Sequence, residues 1–117
     1  MSLINIGTTP IGNGSPTFVI AELAWSHDGD LDKAIRIARG AAQAGANALS
    51  VHVTSLPDYM VRHYGNPDSV SAGKPSSEIY SYLEKINLSF DAVDELSRVV
   101  RASGLELVMM TTKDKGA

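Results

Sequence analysis

Apolar residues along the chain recur with two different periods. Phe18-Val19-Ile20-Ala21-Glu22-Leu23 is apolar on both alternating faces except for one carboxylate, the pattern of a strand covered on both sides of a parallel sheet. From Asp30 onward the period changes: Leu31, Ala34, Ile35, Ala38, Ala41 and Ala42 recur three and four residues apart, which predicts an amphipathic helix packed on a sheet. Asp30 is placed to cap its start and Gly45 to end it. Asn47 to Val53 returns to period two, with Leu49, Val51 and Val53 on one face and Ala48, Ser50 and His52 on the other. Two helical pieces follow, about Ser77 to Lys85 and Phe90 to Ser103, the second with Ser89 as N-cap and Gly104 just past its end. Leu105 to Met110 reads as a third strand.

The remaining segments are turn-rich. Leu3 to Ile6 reads as a short leading strand, and the Gly, Pro, Asn and Ser of Asn5 to Pro16 as a loop after it. Gly12 and Gly14 are turn glycines, because no third glycine and no helix follow to make a dinucleotide fingerprint. Thr54 to Pro75 reads as a long irregular connection, and Lys113 to Ala117 as a solvated tail or a cut end. Strand, helix, strand, helices, strand is the order of a parallel α/β fold with right-handed crossovers, three-eighths of a (β/α)8 TIM barrel. The 117 residues are expected to form one partial barrel domain, completed by further chain or by association into a homo-oligomer, because three strands alone leave a face and two edges uncovered. An independent small α/β sandwich is the alternative.

Composition narrows the function classes. A net charge of −3 gives no basic field to draw nucleic acid or an anionic membrane surface. No apolar run approaches the roughly 18 residues that span a bilayer, and no basic leader precedes an apolar stretch, so a cytoplasmic protein without membrane contact is expected. The absence of cysteine removes disulfides, thiolate metal sites and a cysteine nucleophile.

In parallel α/β folds the working residues lie at the C-terminal ends of strands and in the loops beyond. Glu22, His27, Ser50, His52, Thr54, Met110, Thr111 and Thr112 fall there. Glu22 shares a strand face with Phe18 and Ile20, so it points to the barrel interior, where a carboxylate serves proton transfer or is held by loop amides. His27 stands in a turn leading to a helix N-terminus, as a substrate contact or a loop anchor. His52 shares the interior face with Ser50, as substrate contact, metal ligand or satisfied core histidine. His27, His52 and His63, 25 and 11 residues apart, form no local metal motif. Arg62 with Tyr59 and Tyr64 makes an anion site or a solvated loop charge. Trp25 and the Met109-Met110 pair read as core or mouth-lining residues.

Glu22-Leu23-Ala24-Trp25-Ser26-His27-Asp28-Gly29 resembles the N-acetylneuraminate (sialic acid) synthase family, whose first strand ends Glu-Ile-Gly-x-Asn-His-x-Gly. Three further stretches keep that family's order and approximate spacing: Asp30 to Ala34, Ala44 to Ala48, and Ile86-Asn87-Leu88-Ser89 ahead of Gly104-Leu105-Glu106-Leu107. The resemblance implies a barrel followed by an antifreeze-like domain. It also implies condensation of phosphoenolpyruvate with the open-chain aldehyde of an N-acetylated amino sugar, with Mn2+ or Mg2+ and release of phosphate. It places Glu22 beside the metal-bound water or sugar and His27 at the mouth, as the expected catalytic residues; Ser50, His52, Thr111 and Thr112, by their place at the strand ends, are the expected substrate contacts. The metal-binding histidines and the closing domain would come from later segments, so these 117 residues by themselves are expected to hold no metal and to be inactive. Three positions depart from the pattern: Ser50 stands for a lysine, Ser26 for an asparagine, and Met109-Met110-Thr111-Thr112 for Ser-Thr-Pro-Phe. A hydroxyl does not replace an ammonium's charge, and a catalytically retired module that binds a sugar or nucleotide sugar is the rival reading.

Overall fold

The computed structural model describes residues 4–63, 69–71 and 73–112. In chain order the elements are β1 (Ile4–Ile6), β2 (Thr9–Ile11), β3 (Ile20–Glu22), α1 (Leu31–Gln43), β4 (Ala48–Val53), α2 (Leu56–Tyr59), β5 (Val70–Ser71), β6 (Lys74–Pro75), α3 (Ser76–Ile86), α4 (Phe90–Ala102) and β7 (Glu106–Thr111). Three strands form one parallel sheet in the order β3-β4-β7, with helical crossovers between them. This is the α/β arrangement the periodicities predict.

Helix boundaries follow local chemistry. Asp30 is extended, and its side chain accepts the Lys33 amide at the start of α1; Ser89 does the same for the Ala92 amide at the start of α4. Each satisfies an amide that the first turn leaves without a helical partner. One face of the sheet carries the core: Leu23, Leu49, Val51, Val53 and Leu105 interlock with Ala34 and Ala38 of α1 and Val93, Leu96 and Val100 of α4. The alanines let α1 approach closely, while the larger residues of α4 fill the space beside it.

Register fixes which residues share the other face. Glu22 pairs with Ser50 and Ser50 with Val108, while His52 pairs with Met110. Cross-strand partners point the same way, so Ile20, Glu22, Ala48, Ser50, His52, Val108 and Met110 occupy one face, opposite the helices. Ile20 and Met110 are half exposed there, whereas Ala48 and Ser50, on the central strand, are buried. The pairing Val53 with Thr111 places Thr111 on the helix side instead.

Two loop expectations need correction. The Asn5 to Pro16 stretch holds an antiparallel ladder, β1 with β2, joined by Gly7-Thr8 with Gly7 at φ +58. The connection expected to be irregular from Thr54 to Pro75 contains the short α2, opened by Pro57, and a two-stranded ladder of β5 and β6. The strand expected from Phe18 is also shorter, starting at Ile20. Leu3 and the Lys113 to Ala117 tail lie outside the described residues.

Candidate functional site

The site is built where β3 and β4 end. Glu22 is the last residue of β3, and its Oε1 accepts the Ala24 amide at 3.0 Å while standing 3.4 Å from His52 Nε2 on the neighbouring strand. The expectation that loop amides hold Glu22 is met by the Ala24 amide, and an imidazole faces the same carboxylate. Among the described residues no hydrogen bond engages Oε2, and the side chain is 52% exposed, so an incoming molecule has access to the carboxylate. Beside Glu22, as its register partner on β4, lies Ser50, 3% exposed, whose hydroxyl has no hydrogen-bond partner among the described residues. A buried unpaired hydroxyl costs about 1–3 kcal/mol, so this face of the sheet carries an unmet polar demand.

His27 is placed differently. It is 4% exposed, and its Nδ1 accepts the Gly29 amide at 2.9 Å, which puts the imidazole proton on Nε2. Burial lowers its pKa below the ordinary histidine value, outweighing the opposing influence of Asp28 and the Ala24 backbone. His27 thus anchors the loop between β3 and α1. The loop is tight: Ala24 and Asp28 both have left-handed backbones, at φ +45 and +52, conformations that persist only where surroundings enforce them. Lys33 supplies part of that enforcement by pairing with Asp28, and its ammonium holds the Asp28 carboxyl below the usual carboxylate range.

Trp25, read as a core or mouth-lining residue, and Asn87, given no site role, adjoin this cluster. Trp25 stands edge to face against His52, ring centroids 4.8 Å apart at 83°, and packs on Tyr59 at 5.6 Å. Its Nε1–H points to Asn87 Oδ1 at 3.4 Å, and Asn87 Nδ2 donates to the Thr54 carbonyl at 2.8 Å. Asn87 follows α3 directly and lies 62 positions from Trp25, a pairing that no periodicity encodes.

The other expected residues lie apart from this cluster. Thr112 accepts the Ser55 amide at 2.9 Å and so ties the end of β7 to the segment after β4. Thr111 faces the helix side and is exposed. Arg62 is not a free anion site: it pairs with Glu84 at 3.1 Å and stacks over Tyr80 at 4.3 Å, while Tyr64 lies outside the described residues. Among the described residues no three His, Asp or Glu side chains converge to hold a metal ion. Glu22 and His52 offer two donors only, which does not make a metal site. No helix among the described residues is long and apolar enough to cross a membrane.

A carboxylate, an imidazole and an unpaired hydroxyl thus share the helix-free face of the parallel sheet, with Glu22 and His52 near the C-terminal ends of their strands. No protein-family model matches the chain. It is 28% identical over its whole length to the spore coat polysaccharide biosynthesis protein SpsE of Bacillus subtilis, and 29% identical over 108 residues to an uncharacterized protein of Methanocaldococcus jannaschii. It spans 31% and 28% of those two proteins, respectively. In fold it matches the N-acetylneuraminic acid (sialic acid) synthetase of Leptospira borgpetersenii, solved with citrate, with a TM-score of 0.73 and 20% identity over 98% of this chain and 36% of that one. The SpsE structure matches with a TM-score of 0.66 and 22% identity, over 98% of this chain and 29% of that one. These comparisons agree with the resemblance read in the sequence: the chain is similar in sequence to SpsE and in fold to SpsE and the sialic acid synthetase.

Proposed function

We propose that the chain forms the first three strand–helix units of a (β/α)8 barrel whose enzyme condenses phosphoenolpyruvate with the aldehyde of an N-acetylated amino sugar and releases phosphate. The observation that carries this reading is the cluster of Glu22, His52 and the unpaired Ser50 hydroxyl on the helix-free face of the sheet. Similarity to SpsE along the whole chain and fold likeness to the sialic acid synthetase support it. In this reading the helix-free face becomes the barrel interior, and the ends of β3 and β4 become part of its mouth.

Each residue then has a role of its own. Glu22, accessible and fixed by the Ala24 amide, holds or moves a proton at the sugar oxygen or at an attacking water. His52 donates or accepts a hydrogen bond to substrate beside it, and Ser50 offers its hydroxyl to a substrate oxygen that reaches the helix-free face next to Glu22. His27 holds the loop that carries Glu22 and Trp25. Mn2+ or Mg2+, which the resemblance implies, has no complete donor set among the described residues, so these roles are confined to the chain's own side chains.

One observation favours a second reading, a barrel module that binds a sugar without turning it over. The three parallel strands carry no lysine or arginine, so the face that would receive phosphoenolpyruvate has no strand-borne cation. One experiment separates the two: phosphate release from phosphoenolpyruvate by the natural protein, supplied with Mn2+ or Mg2+, across a panel of N-acetylated hexosamines. Acceptor-dependent release that falls by about 100-fold or more in Glu22→Gln is the expected result, the scale of a lost acid–base group. Sugar binding by calorimetry with no release from any acceptor would leave the binding module standing.

A further inference from the structure

We infer that Trp25 is a positioning residue for His52, and that Asn87 sets Trp25 in place. The inference rests on the site reading above, since it gives His52 a geometry that matters only if substrate meets it. Four contacts form one line across the mouth. Glu22 Oε1 faces His52 Nε2 at 3.4 Å, His52 meets the Trp25 ring edge to face at 4.8 Å, Trp25 Nε1–H points to Asn87 Oδ1, and Asn87 Nδ2 grips the Thr54 carbonyl at 2.8 Å. The line closes on itself, because Thr54 is only two residues beyond His52. Asn87 therefore fixes the indole and the end of the histidine's own strand with the two ends of one amide.

An imidazole on a strand end turns freely about its Cβ–Cγ bond unless something restricts it. Here the ring faces Glu22 at one nitrogen and an indole at its side, and its side chain is 18% exposed. Edge-to-face aromatic contacts are directional, so the indole selects the rotamer that presents Nε2 to the carboxylate. Tyr59, packed on the other part of the indole, and the Asn87 amide keep Trp25 from swinging away. The left-handed backbone at Ala24, immediately before Trp25, is consistent with a loop bent to deliver the ring to this position.

The test uses the natural protein labelled in histidine. His52 is identified by the ring-proton resonance lost in His52→Gln, and the remaining resonances serve as internal controls. In Trp25→Leu the His52 resonance is expected to move toward its random-coil position while that of His27 stays. kcat for phosphate release should fall about tenfold, the scale of a misplaced group, with KM within about twofold of the parent. Trp25→Phe, which keeps an aromatic ring, should recover most of both. Asn87→Leu, which keeps the indole but cuts its tether, should give an intermediate effect and serves in place of Trp25→Leu if that variant fails to fold. A His52 resonance that stays put in folded Trp25→Leu and Asn87→Leu would overturn the inference, whatever happens to the rate. A resonance that moves in Asn87→Leu, which keeps the indole beside the ring, in a protein showing no turnover would uphold the positioning and sink the synthase reading.

Discussion

Glu22 and His27 stand in different surroundings, one accessible and one buried, and each dictates a different experiment. His27 is buried and accepts an amide hydrogen bond at Nδ1, so protonation would both charge a desolvated ring and remove the acceptor that holds Gly29. Its folded-state pKa lies below the ordinary value near 6.5. The unfolded chain therefore binds the proton more readily. Stability from neutral His27 is fully present above about pH 6.5 and is lost as pH falls from there through the lowered folded value. Urea midpoints measured from pH 8 to pH 5 are expected to fall more steeply in the parent than in His27→Gln, whose amide oxygen still accepts a hydrogen bond. Parallel pH profiles for the two proteins would show that His27 is not the group responsible. Glu22→Gln asks the complementary question, since it removes a charge from an accessible site and should cost activity with little loss of stability.

At the scale of elements, the decisive contact is between the loop after β3 and the end of α3. Gly29 has φ +79, and a side chain built there would lie 3.1 Å from both Ile86 Cα and the Lys85 carbonyl oxygen. Gly29→Ala must accept a disfavoured backbone and push against main chain that has no easy way to yield. A loss of about 2 kcal/mol is expected in chemical denaturation, together with loss of the Trp25–Asn87 alignment. Ser89→Ala, by contrast, removes one cap from α4 without straining the backbone of the loop after β3, and should cost about 1 kcal/mol while leaving the Trp25–Asn87 contact in place. Equal effects of the two substitutions on sugar binding would argue against this division.

These elements differ in how plainly the sequence announces them, for physical reasons. α1 and α4 are legible because a helix packed on one side must repeat its apolar residues every three or four positions, and both carry a capping side chain one residue ahead. β4 is legible because its two faces meet different surroundings. The hairpin of β1 and β2 is concealed because three-residue strands cannot show a period, although the Gly7-Thr8 link between Ile6 and Thr9 is a usable signal. Glu22, His27, Ser50 and His52 could be placed by their position at strand ends. Trp25 and Asn87 could not be paired, because the contact depends on how α3 is set over the sheet, and that is decided by tertiary packing. Arg62 is a similar case: its neighbours in sequence leave an anion site and a solvated loop charge both open, and its partners Glu84 and Tyr80, distant in sequence, are set by packing.

For the whole molecule the governing fact is an asymmetry between the two faces of the sheet. The helix face buries Leu23, Leu49, Leu96 and Val100 completely, whereas on the opposite face Ile20 and Met110 are each 50% exposed beside the polar cluster. Among the described residues the outer strands β3 and β7 each have one partner in the sheet, which leaves one edge of each unpaired there. Exposed apolar surface next to unpaired strand edges drives association. In the proposed barrel, further strands satisfy both edges and enclose Ile20 and Met110, as the longer relatives, of which this chain spans about a third or less, have the length to do. The 117 residues by themselves have only copies of themselves for that purpose. Light scattering of the chain is therefore expected to give a mass well above the 12.4 kDa of one copy, rising with concentration. Ile20→Lys, which puts a charge on the open face without disturbing the helix-side core, should shift the population toward monomer and preserve the helical circular dichroism. A chain that remains monomeric across the concentration range would mean that the open face tolerates water, and would weaken the case that it is the lining of an unfinished barrel.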